Sequence, residues 1–254
     1  MANRYFIKLS YNGINYHGWQ SQRAVDTVQD ILSEALEVLL KDNISLTGAG
    51  RTDTDVHAKE FYAHFDSEYG PDFYTSNNIV YKLNCILSKD ISIESIFPVK
   101  QSAHARFDAI SRTYQYIIEQ KKNPFTQNLA YFFDKTLEFE AMQLATKQLF
   151  EYSDFTSFSK SNTQVNNNLC EIKEASWHKK NSRLIFTITA NRFLRNMVRA
   201  IVGTLLEVGE GKLTHKGFTE VIEGKDRRKA GYSVPGYGLY LTSIKYPENI
   251  FLNI

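Results

Sequence analysis

Gly48-Ala49-Gly50-Arg51-Thr52-Asp53-Thr54-Asp55-Val56-His57-Ala58 is the stretch on which the reading of this chain turns. It holds glycines, an arginine, two aspartates and a histidine, a poor composition for a core element. Glycine gives the backbone freedom and lets a ligand approach the main chain. A carboxylate next to a fixed positive charge in such a turn is a common setting for a reacting group. Composition alone also allows an ordinary connecting loop. The Asp-x-Asp of Asp53 and Asp55 allows magnesium-dependent phosphoryl transfer as well, because hard cations take carboxylate oxygens. Such aspartates usually follow a buried apolar strand, and Ser45-Leu46-Thr47-Gly48-Ala49-Gly50 is not one.

Outward from this loop the residues alternate between strand and helix patterns. Tyr5 to Tyr11 reads as a first strand, stopped by Asn12-Gly13. Thr27 is placed to cap a helix in which Val28, Ile31, Leu32, Ala35, Leu36, Leu39 and Leu40 keep helical spacing. A short strand is expected near Ile44 to Leu46. After the loop, Phe61, Ala63 and Phe65 alternate with Tyr62, His64 and Asp66, as in a half-buried strand. A helix from about Asn77 to Leu87 and a strand from Ile91 to Phe97 follow. The second half reads similarly: a strand at Thr113 to Ile118 and a helix at Glu140 to Phe150. A hairpin of Leu169 to Trp177 and Leu184 to Thr189 comes next, then a long helix over Asn191 to Val208. Leu239 to Tyr246 is the closing strand. The expected fold is therefore α+β, two similar β-α-β-β-α-β halves with mainly antiparallel sheets. The boundary falls between a 1–104 half and a 105–254 half. An active-site cleft is expected between them, because ligand sites favour domain interfaces.

With 254 residues, 43% hydrophobic and 23% charged, the chain has the composition of a globular protein. Its net charge of +2 is too mild to announce nucleic-acid binding, so any RNA contact must come from local clustering. Fifteen Tyr and seventeen Phe suit cores and base stacking alike. Cys85 and Cys170 form neither a zinc spacing nor a disulfide framework. No glycine fingerprint for a nucleotide and no metal cluster is apparent, so neither cofactor nor metal is expected. No signal peptide and no membrane-spanning run is seen, which makes a cytoplasmic location the default.

Two further stretches carry chemistry. His104-Ala105-Arg106-Phe107-Asp108-Ala109 leads into Ser111-Arg112-Thr113-Tyr114-Gln115-Tyr116, a loop entering a strand. Its tyrosines share one face, where they could pack on a core or meet an aromatic ligand. In Asn191-Arg192-Phe193-Leu194-Arg195-Asn196-Met197-Val198-Arg199, helical spacing puts Leu194, Met197, Val198, Ile201, Val202 and Leu205 on an apolar stripe. Arg192, Arg195 and Arg199 fall on another stripe, with Asn196 and Gly203 beside them. A solvated helix face is the plain explanation. Three arginines with no acid among them suit phosphate contacts better than surface ion pairs.

Gly50-Arg51-Thr52-Asp53 with Val56-His57-Ala58 resembles the signature loop of the tRNA pseudouridine synthase I (TruA) family, Gly-Arg-Thr-Asp-x-Gly-Val-His-Ala. The His104 to Tyr114 stretch is similar to the family's His-Ala-Arg-Phe-Ser-Ala…Arg-x-Tyr, and Met197-Val198-Arg199 to its Met-Val-Arg-x-Ile-Val-Gly helix. Trp19-Gln20-x-Gln22, Thr27-Val28-Gln29, Asp154-Phe155-Thr156-Ser157-Phe158 and Gly238-Leu239-Tyr240-Leu241 extend the resemblance over the whole chain. Asp55 stands where the family has glycine, and Ser88 where proline is common. If that glycine takes positive φ, aspartate can follow at a cost of about 1 kcal/mol. The resemblance implies isomerisation of uridine to pseudouridine at positions 38, 39 and 40 of the tRNA anticodon stem-loop, without a cofactor. It makes Asp53 the catalytic residue, Tyr114 the stacking partner of the target base and Arg199 the partner of Asp53. Arg51 and Arg106 join Arg192 and Arg195 as substrate contacts, and a homodimer is implied. Whether Asp53 attacks as nucleophile or acts as base stays open. The rival readings are an inactive tRNA-binding homologue and the magnesium-dependent phosphoryl-transfer enzyme.

Overall fold

The computed structural model describes residues 2–160 and 167–252 and divides into two compact units, Met1–Ile110 with Leu241–Ile254, and Ser111–Tyr240. The fold is α+β, with mainly antiparallel strands.

In the first unit, β1 (Asn3–Tyr11) lies between two antiparallel neighbours, β3 (His57–Ser67) and β4 (Ile91–Pro98). Phe6 is opposite His64 on one side and Phe97 on the other. A two-residue β2 (Thr47–Gly48) pairs with β3. The strand expected at Ile44 to Leu46 forms later because the Leu46 carbonyl accepts from the Gln29 side chain, 2.8 Å away. Helix α1 (Val28–Leu40) begins where the sequence placed it: the Thr27 hydroxyl accepts from the Asp30 amide and donates to the Asp30 carboxylate. Leu32 and Leu36 on its inner face are wholly buried, each contributing on the order of 2 kcal/mol. The single helix expected from Asn77 to Leu87 is two, α2 (Pro71–Ser76) and α3 (Ile79–Ile86). Asn78 between them adopts φ +51°, a left-handed conformation that a continuous helix excludes.

The second unit is built on β5 (Ser111–Glu119), β8 (Arg183–Ala190) and β7 (Ile172–Lys180), all antiparallel, with β6 (Tyr131–Phe132) parallel to β5. Helices α4 (Phe139–Lys147), α5 (Met197–Gly209) and α6 (His215–Glu223) accompany them, the last unforeseen in the sequence pattern.

The closing strand β9 (Leu239–Lys245) adjoins β3, and its residues from Leu241 onward belong to the first unit rather than to one 105–254 half. Hydrogen bonds account for this. The Ile244 amide donates to Glu60, and Ile110 and Lys100 amides donate to the carbonyls of Lys245 and Ile250.

His64, expected on the outer face of a half-buried strand, is buried. The 103–108 turn lies over it, and the Ala105 amide donates to its Nδ1 at 3.1 Å. Burial, then the neighbouring His104 and Arg4, push its pKa down to about 4, against the opposing pull of Asp66 and Asp108. The folded protein therefore binds fewer protons than the unfolded chain between about pH 6.5 and 4. Stability should be full above this window and fall as the pH drops through it. His64→Asn, whose amide oxygen can take over the acceptor role of Nδ1, should flatten that part of a Tm-against-pH curve.

Candidate active site

The signature loop leaves β2 at Gly48 and enters β3 at His57. Its path is set by the 12–19 segment running against it. The Tyr11 hydroxyl and the Thr52 hydroxyl are hydrogen-bonded at 3.0 Å, the Gly13 amide donates to His57 Nδ1 at 3.0 Å, and the Asp55 amide donates to the Tyr16 carbonyl at 3.4 Å. Thr52 and His57 are buried, and Asp53 between them is half-buried. Within the loop, the Val56 amide closes a turn onto the Asp53 carbonyl at 3.2 Å. Asp55 in this turn has φ +64°, the left-handed conformation that the family's glycine would take without strain. Asp53 is thus the last residue before a closed, externally fastened turn.

Arg51 is exposed, and its Nε donates to Gln20 at 3.2 Å. Gln20 donates to Gln29 on the first turn of α1, which in turn donates to the Leu46 carbonyl. This chain of amides explains why glutamines stand at 20 and 29, and it holds the exposed Arg51 guanidinium at Nε. Arg106 is exposed on the 104–108 turn, 5.7 Å from the ring centre of Phe107.

In the second unit, Tyr114 and Tyr116 separate by environment. Tyr116 is wholly buried with its hydroxyl donating to the Pro235 carbonyl at 2.9 Å, and burial drives its pKa up. Tyr114 is half-buried, opposite Ile188 in the ladder, with the Phe193 ring set edge-on at 5.2 Å. Phe193 lies outside the apolar stripe read from the sequence, a sign that could have marked it as a partner for something other than the core.

The long helix expected over Asn191 to Val208 starts only at Met197. Asn196 before it is left-handed at φ +69°, and the preceding residues bond elsewhere: the Asn191 amide to the Glu171 carbonyl, the Arg195 carbonyl to the Lys160 amide. Arg192, Arg195 and Arg199 therefore do not share a helical face. Arg192 sits beside Asn167, Arg195 is exposed, and only Arg199 is on α5. That helix is buried along almost its whole length, and Arg199 and Glu207 are its two half-buried positions. Its Nε donates to the Val234 carbonyl at 2.7 Å, and the Val234 amide returns to the Arg199 carbonyl. The 231–234 strand of chain crosses α5 at Gly203, where a Cβ would stand 1.8 Å from the Tyr232 carbonyl oxygen. A side chain at 203 would push this segment away and take the clamp on Arg199 with it.

Similarity in sequence runs over nearly the full length of the chain. Residues 145–247 match a family profile described as tRNA pseudouridine synthase. The protein named tRNA pseudouridine synthase A from Parabacteroides distasonis is 53% identical over 251 residues, covering 98% of either chain. Its namesake in Bacteroides thetaiotaomicron is 51% identical over 251 residues, covering 98% of this chain and 92% of that one. The one in Bacillus subtilis is 38% identical over 242 residues, covering 94% of this chain and 97% of its own. The chain belongs to the tRNA pseudouridine synthase A family.

The loop geometry sets apart two substitutions. A Cβ at Gly18, which has φ +88°, would lie 2.2 Å from the Thr52 carbonyl oxygen. Gly18→Ala should therefore lower unfolding stability by about 1–3 kcal/mol. Asp55→Gly removes the left-handed strain but returns freedom to the unfolded chain, so it should stay within about 0.5 kcal/mol of wild type. Urea unfolding of both variants measures the contrast.

Proposed function

We propose that this protein isomerises uridine to pseudouridine in the anticodon stem-loop of tRNA, at positions 38, 39 and 40, with Asp53 as the catalytic carboxylate. The observation that carries the reading is the 53% identity over 98% of the chain to a named tRNA pseudouridine synthase A, with Asp53 standing intact on its fastened loop. In the reaction the N1–C1′ bond breaks, the uracil turns, and C5 bonds to C1′. N1 gains a proton and C5 gives one up, so atoms balance without donor or oxidant.

A stacked target base has to leave its helix, at a cost of a few kcal/mol. Tyr114 is assigned to receive it, since base–aromatic stacking returns about 1–3 kcal/mol and discriminates little by sequence. Arg199 is assigned as the charge partner of Asp53. Arg51, Arg106, Arg192 and Arg195 are assigned to the tRNA backbone. The protein works as a homodimer in the cytoplasm, one tRNA being read across both subunits.

Unmodified tRNA incubated with the enzyme and then mapped for pseudouridine is the direct test. Pseudouridine at 38–40 that persists in EDTA on prefolded tRNA is expected; no pseudouridine with or without EDTA would overturn the reading. Asp53→Asn should lower the saturated single-turnover rate by roughly a hundredfold or more while tRNA binding and folding hold. Retention of a substantial rate would remove Asp53 from the chemistry.

Tyr114→Phe keeps a stacking ring and Tyr114→Ala does not. Activity loss in the alanine variant beyond any loss in Tm supports a base-facing role, and loss only in step with Tm refutes it. For the arginines, each lost phosphate contact should reduce the salt slope of tRNA binding by about one unit. Arg195→Ala should show this with little change in the saturated rate, whereas Arg199→Lys should slow the rate, because lysine lacks the planar two-pronged donor. Unchanged slopes for Arg192→Ala and Arg195→Ala would return both side chains to plain surface positions.

A further inference from the structure

The segment that fastens the catalytic loop is itself anchored to a carboxylate outside that loop. Tyr16 is 4% exposed, and its two ends face different partners. Its carbonyl accepts from the Asp55 amide. Its hydroxyl donates to Asp90 at 2.6 Å and lies 2.9 Å from the Ser88 hydroxyl, which is also bonded to Asp90. The Asn15 side chain donates to the other Asp90 oxygen at 2.9 Å, and the Asn12 amide donates to the Asp90 carbonyl at 2.8 Å. Asp90 immediately precedes β4. One residue at a strand start therefore holds the 12–16 segment at three points.

Burial first, and the bond to Asp90 second, push the Tyr16 pKa up to about 12, so its hydroxyl stays a donor across the neutral range. Burial would raise the Asp90 carboxyl, but the bonds from Ser88, Tyr16 and Asn15 outweigh it and hold the group below its ordinary range. The pair is an ionised acceptor and a neutral donor, a strong type of hydrogen bond.

We propose that Tyr16 and Asp90 are positioning residues for the isomerisation, holding the 53–56 turn through the Asp55 amide so that the Asp53 carboxylate is aimed before substrate arrives. The proposal rests on the assignment of Asp53. The Val56 amide ties the turn to the Asp53 carbonyl, and Asp55 is left-handed within it. A left-handed residue persists where surrounding contacts determine it. The Tyr16 carbonyl supplies that contact at the middle of the turn, and Asp90 determines where the Tyr16 carbonyl stands. Small misplacement of a reacting group is expensive in rate, so residues that never touch the substrate can govern turnover.

Tyr16→Phe is the decisive variant, since the buried ring remains and only the bond to Asp90 and Ser88 is lost. Its saturated single-turnover rate should fall roughly tenfold, with tRNA Kd within about twofold of wild type. Asp90→Asn, which keeps the shape and weakens the acceptor, should give a smaller fall. Tyr16→Phe combined with Asp90→Asn should lose less rate than the product of the two single losses, because the two share one bond. Independently of activity, amide hydrogen exchange over residues 54–57 should speed up in Tyr16→Phe while the β1 amides stay protected.

An unchanged rate and unchanged exchange in Tyr16→Phe would overturn the proposal, as would multiplying rate losses in the double variant. A rate loss matched by an equal loss in Kd, or removed by correcting for the folded fraction, would also overturn it. If wild type and Asp53→Asn turned over alike, the assignment of Asp53 would fail; faster exchange over 54–57 would still stand for the anchor, and unchanged exchange would end that too.

Discussion

The first unit depends on a place where two loops meet backbone to backbone with no room for a side chain. Gly18 lies so close to the Thr52 carbonyl that even a methyl group would intrude. Around that approach cluster the bonds from Gly13 to His57 and from Asp55 to Tyr16. Remove the approach and the signature loop keeps its residues but loses the surface that shapes it. Such a buried contact between polar backbones is tolerable only because the nearby amides and carbonyls are satisfied. The loop's polar composition is thus a structural requirement as well as a chemical one.

The second unit uses the same device on a helix. Gly203 lets the 231–234 segment lie directly on α5, and Thr204, Asn196 and Arg227 bond it there through Gly231 and Ser233. The result is a cationic side chain, Arg199, on a mostly apolar helix, with its Nε fixed by a carbonyl. A guanidinium held at Nε keeps its plane, and a planar donor is useful only when its plane is controlled. Asp53 and Arg199 are thus each tied down by backbone bonds, Asp53 through its own carbonyl and Arg199 through that of Val234.

Much of this was legible in the residues. Thr27 announced a helix start and alternation found most strands, because each rests on local rules of capping or pleat, while Gly-Arg-Thr-Asp marked the loop by its resemblance to a family motif. What failed was nonlocal. Arg192, Arg195 and Arg199 satisfy helical spacing on paper, but Asn196 turns left-handed, and the carbonyls of Glu171 and Arg195 are bonded outside any helix. The burial of His64 depends on a turn forty residues downstream in sequence, which strand alternation cannot foresee. Tyr16 and Asp90 were invisible for the same reason, being joined by a side-chain bond over a sequence separation of 74. Asp55 lies between: the sequence suggested left-handed backbone, and the turn has it.

The first unit is interrupted. Its residues run to Ile110, and the strand beside β3 resumes only at Leu241, after the whole of the second unit. On the ribosome, the second unit emerges as one uninterrupted stretch, whereas the first must wait with Glu60 still lacking the Ile244 amide that it accepts. The signature loop leads into β3, so it is made early on a strand whose neighbour arrives last. A translation product that ends before Leu241 carries every residue of the loop without the strand beside β3.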